Sequence, residues 1–409
     1  MKLLIWSQYF WPENFLINKL AVDLCARGME VTVVTGKPNY PDGQIFPGYA
    51  ASGIQREEYW GVEVMRIPLY PRGKGSSKGL LLNYLSFILS GYLFAPIALR
   101  GRKFDAVFVY APSPLLQALP AIFVAWLKNA RMIVWVQDIW PEALQATGFI
   151  KNRLLLRLVE GAVRYIYRYS DSILIQSEAF RTPVERLVSH KSKIRFFPNS
   201  AGDLSEPVAM SEHRCKVAAE IQQHFSVVFA GNIGTAQSCE TIVAAAELLL
   251  GYSAIKFYLM GSGSRSDAIA LEVKSKNLTN VIFTGRLSHE EMPAVYSAAS
   301  VLLVSLKNEP ALSATIPSKL QSYLSAGKPI VASLNGEAAR LVIEAQAGFA
   351  CPAESSDALA EAVLKLYEMS PDERDQLGMN ARHYFKTHFH EVERVSELVD
   401  HLRTLVEQP

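Results

Sequence analysis

The sequence predicts an α/β protein with two doubly wound parallel sheets, one in each half of the chain. Ten short apolar runs alternate with segments long enough to form helices, which is the pattern of parallel strands joined by crossovers. The runs fall into two groups of five, and glycine is more frequent at the strand ends of the second group. A chain of 409 residues also exceeds what one hydrophobic core usually supports.

Each group of runs predicts the strands of one Rossmann-like domain. The first group is KLLIWSQ (2–8), EVTVVTG (30–36), DAVFVY (105–110), MIVWVQ (132–137) and SILIQS (172–177). The second is SVVFAGN (226–232), IKFYLMGSG (255–263), NVIFTGR (280–286), SVLLVSL (300–306) and KPIVAS (328–333). In IRFFPNSAGD (194–203) a strand runs into Pro198 and Asn199, which marks a junction. We therefore predict a first domain over 1–200 and a second over 201–380.

Composition excludes some classes of protein. A formal net charge of +2 is too close to neutral for a nucleic-acid-binding protein, which carries a concentrated basic excess. The four cysteines are scattered without CxxC spacing, so we expect neither a zinc site nor a disulfide framework. This cysteine usage fits the reducing cytoplasm.

A segment of 21 residues, GLLLNYLSFILSGYLFAPIAL (79–99), carries no formal charge and is long enough to cross a bilayer. Basic residues flank both ends, so the flanks predict no orientation, and internal polar residues and Pro96 dilute the segment. It therefore fits a buried core helix or a helix in the membrane interface better than a span.

The helix predicted over NRLLLRLVEGAVRYIYRY (152–169) has a basic side. Its arginines follow steps of four, seven and four and so share one stripe: Arg153, Arg157, Arg164 and Arg168. The predicted opposite side is Leu155, Val159, Ala162 and Ile166. Such a stripe is often only a solvated face, but beside segment 79–99 it suggests attraction to anionic lipid. We predict peripheral membrane association through the N-terminal half.

Glycines follow two strands of the second half, where they let backbone amides approach a phosphate. The candidate phosphate-binding residues are Gly231, Asn232 and Gly234 in the first turn, and Gly261, Gly263 and Arg265 in the second. Arg286 lies at the end of a third strand. Each turn alone is weak evidence, because glycine after a strand is often only a turn and neither turn matches a dinucleotide or Walker fingerprint.

The segment TIPSKLQSYLSAGKPIVAS (315–333) predicts a helix that begins at Pro317, with Ser318 and Lys319 in its first turn. A lysine there opposes the helix dipole, which is unfavourable unless an anion is bound. We expect Lys319 to neutralise a pyrophosphate; the alternative is a solvent-facing lysine at a cost of a few tenths of a kcal/mol.

Together, FAGNIG, GSG, FTGRLSHEEMPAVYSAASVLLVSL, PSKLQSYLSAGKPIVAS and the junction PNS resemble the GT-B glycosyltransferases of family 4. SQYFWPE and GMEVTVVTGKPNYPDG near the start resemble the bacterial branch that builds O-antigen, capsule and colanic acid, including transferases of fucose and N-acetylfucosamine. The resemblance implies a nucleotide-sugar donor, UDP-linked, in the second domain and a polyprenyl-diphosphate-linked saccharide acceptor in the first. It also implies retention at the anomeric carbon, no metal, a place on the cytoplasmic face of the inner membrane, and a final segment 381–409 that packs back towards the first domain.

The family pattern carries over residue by residue. It assigns the glycine-rich turn to Gly231 and Gly234, the base-contacting strand end to Gly285 and Arg286, and the phosphate-facing helix start to Ser318 and Lys319. Many members carry two glutamates eight residues apart around this helix, where this chain has Ala314 and Ser322. Ser322 then stands at the ribose position, and Lys319 with Arg265 or Arg286 would neutralise the diphosphate.

VWVQDIWPEAL (134–144) places Asp138 and Glu142 at the tip of a buried strand. Retaining transfer needs an oriented acceptor hydroxyl and a stabilised cationic centre, and Asp138 is the candidate for either task. Alternatively, Asp138 caps the helix that follows. Glu13 and Asn14, after the first strand, are second candidates for acceptor contact.

Two other functions stay open: a UDP-sugar epimerase with the same two domains, and a catalytically inert, membrane-associated binding subunit.

Overall fold

The computed structural model describes residues 1–73, 77–146, 152–204, 216–288 and 290–407. They divide into two compact units, one formed by Met1–Pro198 with Val392–Pro409 and the other by Asn199–Glu391. The division after Pro198 lies two residues before the end of the predicted first domain.

The first unit is an eight-stranded sheet covered by helices. Its strands are β1 Lys2–Trp6, β2 Glu30–Thr35, β3 Gln55–Tyr59, β4 Val62–Arg66, β5 Ala106–Ala111, β6 Arg131–Val136, β7 Ser172–Ile175 and β8 Ile194–Phe196. Its first six helices are α1 Leu16–Ala26, α2 Ser77–Ala98, α3 Ala118–Lys128, α4 Glu142–Ala146, α5 Arg153–Tyr169 and α6 Arg181–Glu185. The strand order is β3-β4-β2-β1-β5-β6-β7-β8, and β3 is antiparallel to β4 while the other pairs are parallel.

The second unit is a six-stranded parallel sheet in the order β11-β10-β9-β12-β13-β14. Its strands are β9 Phe225–Ala230, β10 Ile255–Met260, β11 Val281–Gly285, β12 Val301–Ser305, β13 Ile330–Ser333 and β14 Gly348–Cys351. The helices from here to the end of the chain are α7 Lys216–Ile221, α8 Cys239–Leu248, α9 Ser266–Ser275, α10 Met292–Ala298, α11 Pro310–Ala314, α12 Ser318–Ala326, α13 Glu337–Glu344, α14 Ser356–Glu368, α15 Pro371–His388 and α16 Glu391–Glu407.

All ten apolar runs form parallel strands, and the second unit has a separate buried cluster on each face of its sheet. The sequence analysis missed the β3–β4 hairpin and β14. Strand β3 reads QREEY and exposes alternate residues at the sheet edge, while β14 reads GFAC, lies at the edge of the second sheet and buries only its last residue. Neither segment has the continuous apolar run typical of a strand buried on both faces.

The last helix, α16, packs on the first unit. Its residues Val395, Leu398 and Leu402 are buried in the same cluster as Leu3 and Ile17 of β1 and α1. The return to the first unit begins at Val392.

The predicted boundary at 381 falls inside α15, which belongs to the second unit. Ala381 and Phe385 are completely buried in that unit's core. A side chain at Gly378 would lie 2.2 Å from the carbonyl oxygen of Gly327, so α15 approaches the end of α12 closely. The boundary therefore needs correction, because close packing keeps α15 with the second unit through His388.

Helix α2 packs one face on the first unit and exposes the other. Asn83 and Phe87 are completely buried, and a side chain at Gly91 would collide with Pro120. The exposed face carries the leucines Leu81, Leu82, Leu85, Leu89 and Leu93. Among the described residues one helix, Lys78–Ala98, is long and apolar enough to cross a bilayer. Its contact with a membrane stays a prediction.

Helix α5 exposes the four arginines of the predicted stripe. Its buried residues are Leu156, Val163, Ile166 and Tyr167. Of the residues predicted opposite the arginines, Ile166 is buried and Val159 and Ala162 are half-buried, but Leu155 is 47% exposed. The helix packs through the face that contains Leu156. Because adjacent residues are separated by about 100° around a helix, the neighbouring Leu155 points away from that face.

Candidate functional site

In the second unit, the loops after β9, β10 and β11 meet at the carboxyl edge of the sheet. The Gly231 amide donates to the Met260 carbonyl at 2.9 Å, and the Gly261 amide donates to the Gly285 carbonyl at 2.8 Å. A side chain at Gly261 would lie 1.8 Å from the Gly231 carbonyl oxygen, and Gly261 has a positive φ of 130°. Glycine is therefore required here for the close approach of two loops.

The two predicted glycine turns are bonded to each other. The Ile233 amide donates to the Ser262 carbonyl, and the Arg265 amide donates to the Ile233 carbonyl, each at 3.0 Å. A Cβ at Gly263 would lie 2.6 Å from Oδ1 of Asn232, and one at Gly234 would lie 2.4 Å from its Nδ2. The Asn232 side chain therefore lies between the two turns.

Lys319 lies beside the first of these turns. Its Nζ is 4.0 Å from the centroid of the Phe229 ring. A Cβ added at Gly231 would lie 2.7 Å from the same Nζ atom. Nζ is buried and forms no hydrogen bond with any described residue. Burial lowers the pKa of Lys319 to about 8, so the ammonium form still predominates at neutral pH. An unpaired buried ammonium is unfavourable and is expected to bind an anion.

Lys319 belongs to the first turn of α12. This helix begins at Ser318, which is exposed, after Pro317, and no side chain caps its first amides. Ser322 lies one turn further on and is half-buried, while Ala314 ends the short helix α11. The Leu320 amide donates to the Pro317 carbonyl at 2.9 Å, which leaves the amides of Ser318 and Lys319 without a side-chain cap. These amides and the buried ammonium together favour an anion at this helix start.

The two candidate arginines differ in their partners. Arg265 forms an ion pair with Glu240 of α8, with its Nη2 at 2.7 Å and its Nε at 3.0 Å from Oε1. Arg286 is exposed, and its Nε donates to the Ser262 hydroxyl. No carboxylate of the described residues pairs with Arg286. Arg286 is therefore the better candidate to assist Lys319.

In the first unit, Asp138 lies after β6 and is tied to the loop after β5. Its Oδ2 accepts hydrogen bonds from the Ser113 amide at 3.1 Å and from the Ser113 hydroxyl at 2.8 Å. Trp140 Nε1 donates to the same hydroxyl at 3.2 Å. Among the described residues no amide of α4 donates to Asp138, so the alternative that it caps this helix is not what the geometry shows. Glu142 is exposed in the first turn of α4.

Glu13 is buried beneath the surface loops. It is 2% exposed, and its Oε1 accepts from the amides of Asn39 at 2.8 Å and Tyr40 at 2.7 Å, while Oε2 accepts from Phe10 at 3.3 Å. Burial raises the pKa of Glu13 to about 7, although these amides and Arg66 oppose the rise. Its carboxylate binds the backbone of neighbouring loops, so of the two predicted acceptor contacts only Asn14 is exposed.

Sequence reasoning missed a buried polar network at the same edge of the first sheet. The Gln8 side chain donates to Asn83 Oδ1 at 2.7 Å, and the Gln8 amide donates to Gln117 Oε1 at 2.6 Å. Asn83 Nδ2 donates to Asn39 Oδ1 at 3.3 Å. Asn83 lies in the apolar segment 79–99, and the sequence around it does not indicate which residues it binds. The network fixes α2 to the carboxyl ends of β1 and β2.

Comparison with protein families matches both units. The family model for the glycosyl transferase 4-like domain matches residues 16–200, and the model for glycosyl transferases group 1 matches residues 224–369. The chain is a glycosyltransferase with a 4-like domain and a group 1 domain. The predicted enzyme class is confirmed.

Curated relatives of this glycosyltransferase include proteins of cell-surface polysaccharide synthesis. A putative colanic acid biosynthesis glycosyl transferase, WcaI, from Escherichia coli K12 is 27% identical over 343 residues, which are 80% of this chain and 82% of the relative. A putative teichuronic acid biosynthesis glycosyltransferase, TuaH, from Bacillus subtilis 168 is 22% identical over 237 residues, 58% of this chain and 57% of the relative.

Solved structures confirm the predicted GT-B fold. Sucrose-phosphate synthase from Thermosynechococcus elongatus matches with a TM-score of 0.73 and 19% identity, and the match covers 99% of each chain. HepE from Anabaena in complex with UDP matches with a TM-score of 0.68 and 15% identity over 99% of this chain and 100% of that chain. The roles of individual residues in this glycosyltransferase stay predictions.

Proposed function

We propose that this glycosyltransferase transfers a sugar, with retention at the anomeric carbon, from a UDP-sugar to a polyprenyl-diphosphate-linked saccharide during assembly of O-antigen or capsule repeat units. The sugar is N-acetyl-L-fucosamine or another deoxy or amino sugar. The reaction needs no metal, because protein cations and helix amides neutralise the leaving diphosphate.

The observation that carries the donor half of this proposal is the Lys319 ammonium. It is buried beside Gly231 without a hydrogen-bond partner among the described residues, at the start of a helix whose first amides have no side-chain cap. A diphosphate would supply the missing counter-charge and accept hydrogen bonds from those amides. Arg286 and the glycine turns complete the proposed site, and Ser322 is assigned to the ribose.

The names of similar proteins support the choice of substrates. Two curated relatives are described as putative glycosyltransferases of colanic acid and teichuronic acid biosynthesis. HepE is described in complexes with UDP and with UDP-glucose, and a trehalose-6-phosphate synthase with UDP-2-fluoro glucose. These descriptions favour UDP as the nucleotide.

In the acceptor half, Asp138 orients or deprotonates the acceptor hydroxyl, or stabilises positive charge at the anomeric carbon. The Ser113 amide and hydroxyl hold the carboxylate in one orientation. Glu142, exposed four residues further along the chain at the start of α4, is a second candidate for the catalytic carboxylate, and Lys319 assists catalysis from the donor side by neutralising the leaving diphosphate.

We assign the enzyme to the cytoplasmic face of the inner membrane, where a polyprenyl-linked acceptor resides. The support is that α2 and α5 both pack on α3, and that α2 exposes leucines while α5 exposes leucines and arginines. Leu89 of α2 and Leu158 of α5 are 62% and 63% exposed. Apolar side chains beside arginines match an anionic bilayer surface.

Thermal unfolding with UDP, GDP, CMP and ADP tests the donor site. Ligand at about 100 times its Kd should stabilise the protein by roughly 2.7 kcal/mol. We expect the shift with UDP, and its loss in Lys319→Met, which removes the charge but keeps an unbranched side chain. Lys274→Met, at an exposed position of α9, is the matched control and should keep the shift. If no nucleotide shifts the midpoint, the proposal fails and the inert binding subunit is favoured.

A second assay separates transfer from epimerisation. The enzyme is incubated with UDP-sugars in the presence and absence of polyprenyl-diphosphate-linked saccharide. We expect release of UDP only when the acceptor is present. Conversion of the donor sugar without acceptor would contradict the proposed transfer and indicate an epimerase.

A further inference from the structure

A second cationic group lies in the first unit, close to Asp138. The guanidinium of Arg72 lies over the Tyr40 ring, with Cζ 5.2 Å from the ring centroid. The Arg72 amide donates to Asn39 Oδ1 at 3.1 Å, so the buried polar network described above also positions this residue. Within the described chain no carboxylate forms an ion pair with Arg72.

Two phenols face the same guanidinium. Burial raises the pKa of Tyr9 and that of Tyr84, and in both cases the charge of Arg72 opposes the rise. Tyr9 is 3% exposed, and its buried hydroxyl interacts with the hydroxyl of Tyr84. The Tyr9 ring also packs on Tyr40, with ring centroids 5.8 Å apart.

Asp138 is connected to this group by hydrogen bonds. Gln117 joins the amide of Gln8, the neighbour of Tyr9, to the Pro112 carbonyl, and the next residue, Ser113, binds Asp138. The charge of Asp138 also contributes to the raised pKa of Tyr84. Tyr84 belongs to α2, and the neighbouring residues Leu82 and Leu85 are 47% and 45% exposed. The unpaired cation, the two phenols, the proposed catalytic carboxylate and the exposed leucines of α2 therefore occur together in one region of the first unit.

We propose that Arg72 and the hydroxyls of Tyr9 and Tyr84 bind a phosphate of the lipid-linked acceptor, and that the exposed leucines of α2 bind the start of its lipid chain. A phosphate accepts hydrogen bonds from a guanidinium and from phenols, and it supplies the charge that Arg72 lacks. The proximity of Asp138 then places the saccharide that follows the diphosphate within reach of the carboxylate. This inference rests on the proposed function and adds the acceptor's binding residues to it.

The test measures binding of the full-length enzyme to phosphatidylcholine vesicles that contain a polyprenyl diphosphate, compared with phosphatidylcholine alone. The variants are Arg72→Gln and Tyr84→Phe, and the matched control is Arg100→Gln, an exposed arginine just beyond the other end of α2. We expect wild type and Arg100→Gln to prefer the diphosphate vesicles. Loss of a charge-assisted contact should weaken this binding at least about tenfold in Arg72→Gln, and loss of a neutral one by a smaller factor in Tyr84→Phe.

Two further measurements separate the ways in which the idea could fail. Inorganic diphosphate in solution should compete with the vesicles, and less so in Arg72→Gln. Competition without any preference for diphosphate vesicles would overturn the lipid part of the inference. Equal vesicle binding by wild type and Arg72→Gln would overturn the phosphate site. In either case an intact thermal shift with UDP would leave the donor half of the proposed function standing.

Discussion

The Asp138 carboxylate and Ser113 are joined by two hydrogen bonds, from the serine amide at 3.1 Å and from its hydroxyl at 2.8 Å. This relationship links the carboxyl ends of the neighbouring strands β5 and β6. It fixes a half-buried carboxylate in one orientation, which a general base or an electrostatic stabiliser requires.

Replacement of Asp138 by Asn should abolish most transfer while the fold is retained. The amide oxygen can still accept from the Ser113 amide, but the negative charge and the basic oxygen are lost. We expect the rate to fall by about 10²- to 10⁴-fold, the usual contribution of general acid–base catalysis. Steady-state kinetics measure the rate and thermal unfolding checks the fold. Ser113→Ala removes the hydroxyl's hydrogen bonds with Asp138 and Trp140, each worth about 1 kcal/mol, but keeps the amide contact and the carboxylate, so it should reduce kcat less. Full activity of Asp138→Asn would exclude the catalytic role.

Replacement of Gly231 by Ala should disrupt the donor site. The backbone has a φ of 146°, which L-residues rarely adopt, and the new Cβ would lie 2.7 Å from Lys319 Nζ. We expect the free energy of unfolding to fall by about 1–3 kcal/mol and the shift with UDP to disappear. Gly251→Ala is the matched control, because nothing lies within 4 Å of its Cβ position. A UDP shift of normal size in Gly231→Ala would count against the assignment.

Glu13 should make stability depend on pH. Its pKa of about 7 in the folded protein exceeds the ordinary value of 4.5, so the folded state holds the proton more tightly than the unfolded chain. The stability that the protonated Glu13 contributes is therefore fully present below pH 4.5 and is lost as the pH rises towards 7. Glu13→Gln mimics the protonated form at every pH. Its free energy of unfolding should therefore not show the decrease of up to about 3 kcal/mol that ionisation of Glu13 causes in wild type. Urea unfolding of both proteins at about pH 5 and about pH 8 measures this difference.

His401 of α16 should also make stability depend on pH, with the opposite sign to Glu13. Burial, helped by the charge of Arg195, lowers its pKa from 6.5 to about 4. Its ring nitrogens lie 2.8 Å from the Ser172 hydroxyl and 2.6 Å from Arg195 Nη1. The folded state excludes the proton, so this contribution is present above 6.5 and is lost as the pH falls towards 4.

The variant His401→Gln should therefore lose less stability on acidification than wild type, measured by the same urea titration. We compare the free energy of unfolding of each variant with that of wild type between pH 4.5 and pH 6.5, where both residues titrate. As the pH rises, this difference should increase for Glu13→Gln and decrease for His401→Gln. Parallel curves for the two variants would show that at least one of these groups keeps an ordinary pKa.

The leucine and arginine surface of α2 and α5 should bind anionic membranes. Leu89→Gln combined with Leu158→Gln removes two exposed apolar side chains and should lower binding to anionic vesicles in a sedimentation assay, without loss of stability. Leu271→Gln is the control, because this leucine is 68% exposed on α9 of the second unit. Increasing salt should weaken wild-type binding, since surface charges are screened. Equal binding by all variants would exclude this surface.

Much of the fold and part of the candidate site follow from local sequence pattern. Continuous apolar runs specified the parallel strands, and glycines after strands pointed to the phosphate-binding edge. Lys319 was identified because a lysine in a first helical turn is unfavourable without an anion. The exposed edge strand β3 and the four-residue strand β14 escaped, because neither has a continuous apolar run.

The sequence by itself determined the two α/β units, the strands that form them and the helix start that presents Lys319, because apolar periodicity and turn residues are local properties. Only the tertiary structure decided that Arg265 pairs with Glu240, that Glu13 is buried under three amides, and that Arg72, Tyr9 and Tyr84 converge. Burial and pairing depend on which loops the order of strands brings together. Those loops are distant in sequence, so no local pattern records their contacts.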